Sequence, residues 1–302
     1  MNNNDNQRVF NLQDHLTAVK EGKRRFENAF QGVSRMILEQ KIEKVVVNGK
    51  TTYDFLIFRN GKKHLIGLYD EINSFVSYVK DAAEGGSSKE MAYVLVGEPG
   101  NGKTFFVEYV CNCYRRFLSL EENRKFTFRF KHLDQLGNYG RITVIESQTY
   151  EDPMVLAMNL METPDANKTL LSEKIGFSDK QLEELYENYR PLGACSEYIW
   201  NDIRSHAGSV DEALNYIEIV PVPLMESMGT LTGKYPAKDK ITSSAVDLLG
   251  EESIQRLLHI TDTSNPYRFD LRRGALARVA GGGIHFSDEI FKNKKDLVQV
   301  YL

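Results

Sequence analysis

Eight residues, Gly97-Glu98-Pro99-Gly100-Asn101-Gly102-Lys103-Thr104, constrain this chain more than any other segment. They satisfy the pattern GxxxxGK[ST], a P-loop, in which glycines let the backbone approach phosphate oxygens and the loop amides surround them. The helix expected to follow adds the positive end of its dipole. Lys103 would set its ammonium between the β and γ phosphates of a nucleoside triphosphate, and the Thr104 hydroxyl would bind Mg2+. Four specified positions arise by chance in such a chain on the order of one time in a hundred, and the flanks narrow the odds further. Ala92-Tyr93-Val94-Leu95-Val96 is a short apolar run of the kind found in a sheet covered on both faces, and residues 105–118 read as a helix. The bland alternative is a glycine-rich turn between strand and helix.

A P-loop alone leaves the metal's outer shell and the attacking group unplaced, so a second, acidic element is required. Gly283-Ile284-His285-Phe286-Ser287-Asp288-Glu289 is the best candidate, an imperfectly apolar strand ending in two carboxylates. Here Asp288 would orient Mg2+, directly or through water, and Glu289 would polarise the attacking water or hydroxyl. The competing reading is a solvated acidic helix start. Arg272, Arg273 and Arg278 precede this strand as candidate phosphate or subunit-interface groups, but exposed arginines are commonplace and they receive no assignment. Tyr69, with Ile66-Gly67-Leu68 before it, lies where a base could stack, with packing as the alternative.

Composition narrows the partners. The 302 residues, 41% hydrophobic and 26% charged, are in the range of globular domains with a real core. Lys+Arg number 38 against 42 Asp+Glu, a net charge of -4, so no global positive field exists to hold nucleic acid, and a DNA-associated role is disfavoured. The polar opening Met1-Asn2-Asn3-Asn4 lacks the basic start and apolar run of a signal peptide, and no stretch reaches the roughly 18 apolar residues of a membrane span. A cytoplasmic protein is expected. Cys111, Cys113 and Cys195 read as reduced, packing cysteines, and the histidines show no paired ligand spacing, so no metal cage is expected beyond the Mg2+ of the nucleotide.

Along the chain, residues 1–50 are polar with helical periodicity in Phe26, Phe30, Val33, Met36 and Ile37. Residues 52–68 read as a hairpin turning at Asn60-Gly61, and residues 69–84 as a helix burying Ile72, Phe75, Val76 and Val79. Phe126, Phe128 and Phe130 alternate with polar residues as in a half-buried strand, and residues 142–145 offer a second one. Residues 165–260 are mostly helical in pattern and read as an insertion. The expected fold is an α/β module, a mostly parallel sheet flanked by helices. Residues 1–60 form a helical and hairpin N-terminal accessory region, and residues 61–302 form the nucleotide domain.

The segments Ile66-Gly67-Leu68-Tyr69-Asp70-Glu71, residues 76–85, the P-loop, Glu151-Asp152-Pro153-Met154, Arg268-Phe269-Asp270, residues 280–284 and Glu289-Ile290-Phe291-Lys292 together resemble the AAA+ module of PrkA-type bacterial serine protein kinases. The resemblance covers roughly residues 60–302, and its P-loop is specific only to the superfamily. It implies a P-loop NTPase of AAA+ type that binds Mg-ATP, assembles through such modules, and carries a serine/threonine protein kinase or ATPase activity. The chain has no HRD, DFG or β3-lysine pattern of ordinary protein kinases, so phosphoryl transfer would use the P-loop site or another domain. Only residues 290–302 follow Glu289, whereas the family continues into a sensor strand, an arginine finger and a helical lid. The expectation is a version truncated after its acidic (Walker B) motif, self-associating or completed by a partner chain. The alternative function is a regulatory module that binds nucleotide without hydrolysing it.

Overall fold

In the computed structural model, which describes residues 9–59, 65–235, 245–253, 258–268, 270–292 and 295–301, the chain is a mixed α/β protein with several small sheets. Its helices are α1 (Leu12–Lys20), α2 (Ala29–Leu38), α3 (Tyr69–Ala83), α4 (Lys103–Leu118), α5 (Pro153–Ala157), α6 (Pro164–Leu170), α7 (Asp179–Tyr186), α8 (Ala194–His206), α9 (Val210–Leu214), α10 (Ala245–Leu249) and α11 (Lys295–Gln299). Its strands are β1 (Ile42–Val47), β2 (Lys50–Phe55), β3 (Phe126–Lys131), β4 (Val144–Glu146), β5 (Ile217–Pro221), β6 (Thr232–Tyr235), β7 (Gly250–Ser253), β8 (Asp270–Arg273) and β9 (Ile284–Ser287). Two compact units interleave along the chain: Met1–Phe26 with Leu120–Gly233 and Ala245–His285, and Glu27–Ser119 with Lys234–Ser244 and Phe286–Leu302.

The first unit is built on an antiparallel sheet in the order β4-β3-β5. Phe128 and Phe130 of β3 are buried and face Ile219 and Ile217 across the ladder, as alternation within a central strand requires. Residues Met154 to Met158 are all buried beneath the sheet's core cluster, and Trp200 of α8 joins them with its Nε1–H donating to the Leu160 carbonyl at 3.1 Å. Residues 165–260, expected as helical, do hold α6 to α9, but they also contribute β5 to this sheet. The Ile217-Glu218-Ile219 alternation is too short to stand out beside helical neighbours, and its pairing with β3 decides its state.

The second unit holds α2 to α4 and the hairpin β1–β2. Val33, Met36 and Ile37 of α2 are buried with Ile72, Val76 and Val79 of α3 and with Phe106, Tyr109, Val110 and Tyr114 of α4. Asn28 and Gln31 start α2 with a reciprocal capping box, each side chain accepting from the other's backbone N–H at 3.0 Å. Gly32 is needed for close approach, since a Cβ there would lie 2.9 Å from the Tyr114 hydroxyl oxygen. The hairpin in this unit is β1–β2, closed by Asn48 and Gly49 at φ 51° and 77°, the positive pair that a tight two-residue turn demands. The hairpin turn expected at Asn60-Gly61 lies outside the described residues. Asn48-Gly49 carries the same signal and has strand residues of matched length on both sides.

The mostly parallel sheet is not what the described residues form. The pairs β1–β2, β3–β4, β3–β5 and β7–β8 are all antiparallel. In the pair β6–β9, Ile284 N–H donates to Leu231 O at 2.8 Å and Asp288 N–H to Tyr235 O at 3.0 Å, advancing in the same sense along both strands. Among the described residues no helix is long and apolar enough to cross a membrane.

Candidate functional site

The glycine loop of residues 97–104 and the pair Asp288 and Glu289 fall in the same unit. The segment leading into the loop corrects an expectation. Residues 92–98 take no regular secondary structure and pair with no strand among the described residues, and Val94 and Val96 are 57% and 88% exposed. Side chains hold this segment instead: the Tyr93 ring packs on Phe75 and Tyr78 of α3 at 5.3 and 5.0 Å, and Tyr78 Oη donates to the Met91 carbonyl at 2.6 Å. A β-branched run has the dihedral preferences of a strand, but ladder hydrogen bonds need a neighbour, and the helices of this unit supply none.

The loop itself turns at its glycines. Gly100 and Gly102 adopt φ of 87° and 76°, the left-handed region where side chains are strained. Gly97 is different: a Cβ there would meet its nearest neighbours at 3.8 to 3.9 Å, ordinary contact. Gly102 caps α4 without any side-chain acceptor, and the first helical bond runs from Phe106 N–H to Gly102 O at 2.8 Å. The amides that precede Phe106 therefore have no intrahelical acceptor and open at the loop, at the positive end of a 16-residue helix. Lys103 is half-buried, and its Nζ donates to the carbonyls of Gly97 and Glu98 at 2.7 Å each. Thr104, also half-buried, begins the exposed face of α4.

Strand β9 delivers Asp288 and Glu289 as the sequence reading expects. Asp288 is half-buried, its backbone fixed by Tyr235 O, while Glu289 is exposed at φ 47° and accepts from Lys292 Nζ at 2.5 Å. His285 on the same strand is held neutral, burial lowering its pKa to about 4, so it adds no charge beside the carboxylates at pH 7. Lys234 of β6 stands in no sequence motif. Its Nζ donates to Glu108 Oε1 of α4 at 2.8 Å. That hydrogen bond first, and then the charges of Glu108 and Asp288, keep its ammonium above the usual lysine range. The one sequence signal was the spacing of Thr104 and Glu108, four apart in a helix and therefore on one face.

A hydroxyl and a carboxylate are hard oxygen donors of the kind Mg2+ accepts. Among the described residues no group of three or more His, Cys, Asp or Glu side chains stands together for a metal, so Mg2+ here would rely chiefly on phosphate oxygens and water.

The other candidates have local partners. Arg273 donates to the carbonyls of Gln148 and Ser147 at 2.6 and 2.8 Å and lies over the Tyr150 ring, Arg278 donates to Arg273 O and Met228 O, and Arg272 pairs with Glu251. Arg59 sits 4.9 Å from the centroid of the Tyr69 ring, favouring packing over base stacking there. In the Glu151-Asp152-Pro153-Met154 motif, Asp152 caps α5 by accepting from Met154 N–H at 2.8 Å. Glu151 is buried and accepts from Ser147 Oγ, Ser196 Oγ and Gly193 N–H at 2.8, 2.5 and 2.7 Å. All three cysteines are free, and burial pushes the Cys111 and Cys195 thiols up to about 11, away from reactive thiolate.

No family model, no curated protein and no solved structure matches this chain.

Proposed function

We propose that this chain binds Mg-ATP at residues 97–104 and acts as a PrkA-like AAA+ protein, a serine/threonine protein kinase or ATPase. One observation carries the reading: left-handed Gly100 and Gly102, unpaired amides at the start of α4 and the Lys103 ammonium converge on a single loop. That is a concentration of positive potential with a shape suited to a polyphosphate. In this reading Lys103 exchanges two carbonyls for phosphate oxygens, Thr104 and Asp288 hold Mg2+, and Glu289 polarises the attacking water or protein hydroxyl. Its pair with Lys292 is exposed, and such pairs are worth about 0 to 1 kcal/mol, so it does not tie the carboxylate down.

A second reading, a module that binds nucleotide without turning it over until a partner completes it, draws support from the arginines. Arg272, Arg273 and Arg278 each have other partners, and an arginine acting on the transferring phosphoryl group is worth about 10³ to 10⁵ in rate. Incubating the chain and Lys103→Ala with γ-labelled Mg-ATP and a generic protein substrate separates the readings. Lys103-dependent label on protein or free phosphate supports the enzyme. Label that stays on bound ATP supports the module, and failure of the chain to bind ATP removes both.

A further inference from the structure

Four residues of one unit, Thr104, Glu108, Lys234 and Asp288, are linked through α4 and β6. Thr104 and Glu108 are four residues apart in α4, so their side chains lie on one face, one above the other. Glu108 receives Lys234 Nζ at 2.8 Å. Lys234 is bonded in sequence to Tyr235, whose carbonyl fixes the Asp288 N–H at 3.0 Å. The face of α4 that carries the Thr104 hydroxyl is thereby the face toward which β6 presents its ammonium, next to the backbone that holds Asp288. The charges of Glu108 and Asp288 both act on Lys234.

We propose that Lys234 is a positioning residue of the nucleotide site: anchored on α4 by Glu108, it aligns the Asp288 carboxylate toward the side of the P-loop where Thr104 lies. The inference rests on the reading of residues 97–104 as a Mg-nucleotide site. Both Lys234 and Glu108 are half-exposed, so the pair is a weak fold element and its purpose lies in orientation and charge. Without Lys234, the two carboxylates whose charges act on it, Glu108 and Asp288, would lose the cation they share. Asp288 would then approach a divalent ion from a less fixed position. An outer partner that orients a metal ligand typically costs tenfold or more in metal affinity when removed.

The test measures binding of a fluorescent ATP analogue to the full chain at increasing Mg2+, for wild type, Lys234→Ala, Lys234→Arg and Lys103→Ala. The expected result is that Lys234→Ala needs about tenfold more Mg2+ for half-maximal enhancement of binding, keeps the wild-type affinity for nucleotide without Mg2+, and is largely rescued by Lys234→Arg. A purely structural role would weaken Mg-free binding as well. If Lys103→Ala loses nucleotide while Lys234→Ala keeps the wild-type Mg2+ dependence, the inference is overturned and the P-loop reading stands. If wild type binds no nucleotide, or Lys103→Ala binds as well as wild type, the P-loop reading falls and takes the inference with it.

Discussion

The ammonium of Lys103 is bonded to the carbonyls of both Gly97 and Glu98 at 2.7 Å, closing the loop over its own first turn. In the proposed nucleotide site, a phosphate would compete for that ammonium with two neutral acceptors and offer charged ones. Hydrogen bonds to charged groups contribute about 1.5 to 3 kcal/mol, so Lys103→Ala should weaken ATP binding by roughly 10- to 150-fold. Because Lys103 is outside the buried core, the same variant should melt within a few degrees of wild type; equilibrium nucleotide titration and thermal unfolding check the two halves together.

The glycines of the loop should differ in tolerance. Gly100→Ala and Gly102→Ala each place a side chain at positive φ, at a cost of about 1 to 2 kcal/mol in a loop that must keep its shape to bind. Gly97→Ala meets only ordinary contacts and should bind nucleotide within a few-fold of wild type. Comparing the three affinities tests the loop conformation; equal losses at all three positions would contradict it.

Glu151 should be a stability residue of the first unit. Its carboxylate satisfies two serine hydroxyls and the Gly193 amide in a buried setting. Glu151→Leu leaves those three donors without an acceptor and should cost about 3 to 5 kcal/mol in chemical denaturation. Glu151→Gln, keeping one carbonyl oxygen, should cost less.

Stability should fall on acidification through His15. This ring is buried against Phe126 and bonded to Arg24, and burial first, then the Arg24 charge, lower its pKa to about 3 from 6.5. The folded pKa lies below the unfolded one, so the unfolded state takes up the proton first. The contribution is therefore complete above pH 6.5 and is lost as pH falls toward 3, on the order of 1 kcal/mol per pH unit within that window. In His15→Leu the slope of stability between pH 6.5 and 4 should be shallower than in wild type, measured by urea unfolding at several pH values.

What the sequence determined by itself is local. The glycine turn of residues 97–102, the start of α4 at Lys103, the α3 face of Ile72, Val76 and Val79, and the strand character of residues 126–131 follow from periodicities and glycine positions within a few residues. Their hydrogen bonds close over three or four residues, or their side-chain alternation is long enough to read. Only the tertiary structure decided that residues 92–98 pair with no strand among the described residues, that β5 joins β3 from 89 positions away at the Arg129–Glu218 contact, and that Lys234 reaches Glu108 across 126. A strand or an ion pair is completed by a partner far along the chain, and the choice of partner depends on which surfaces the packed helices leave open, a relation that no short window of sequence contains.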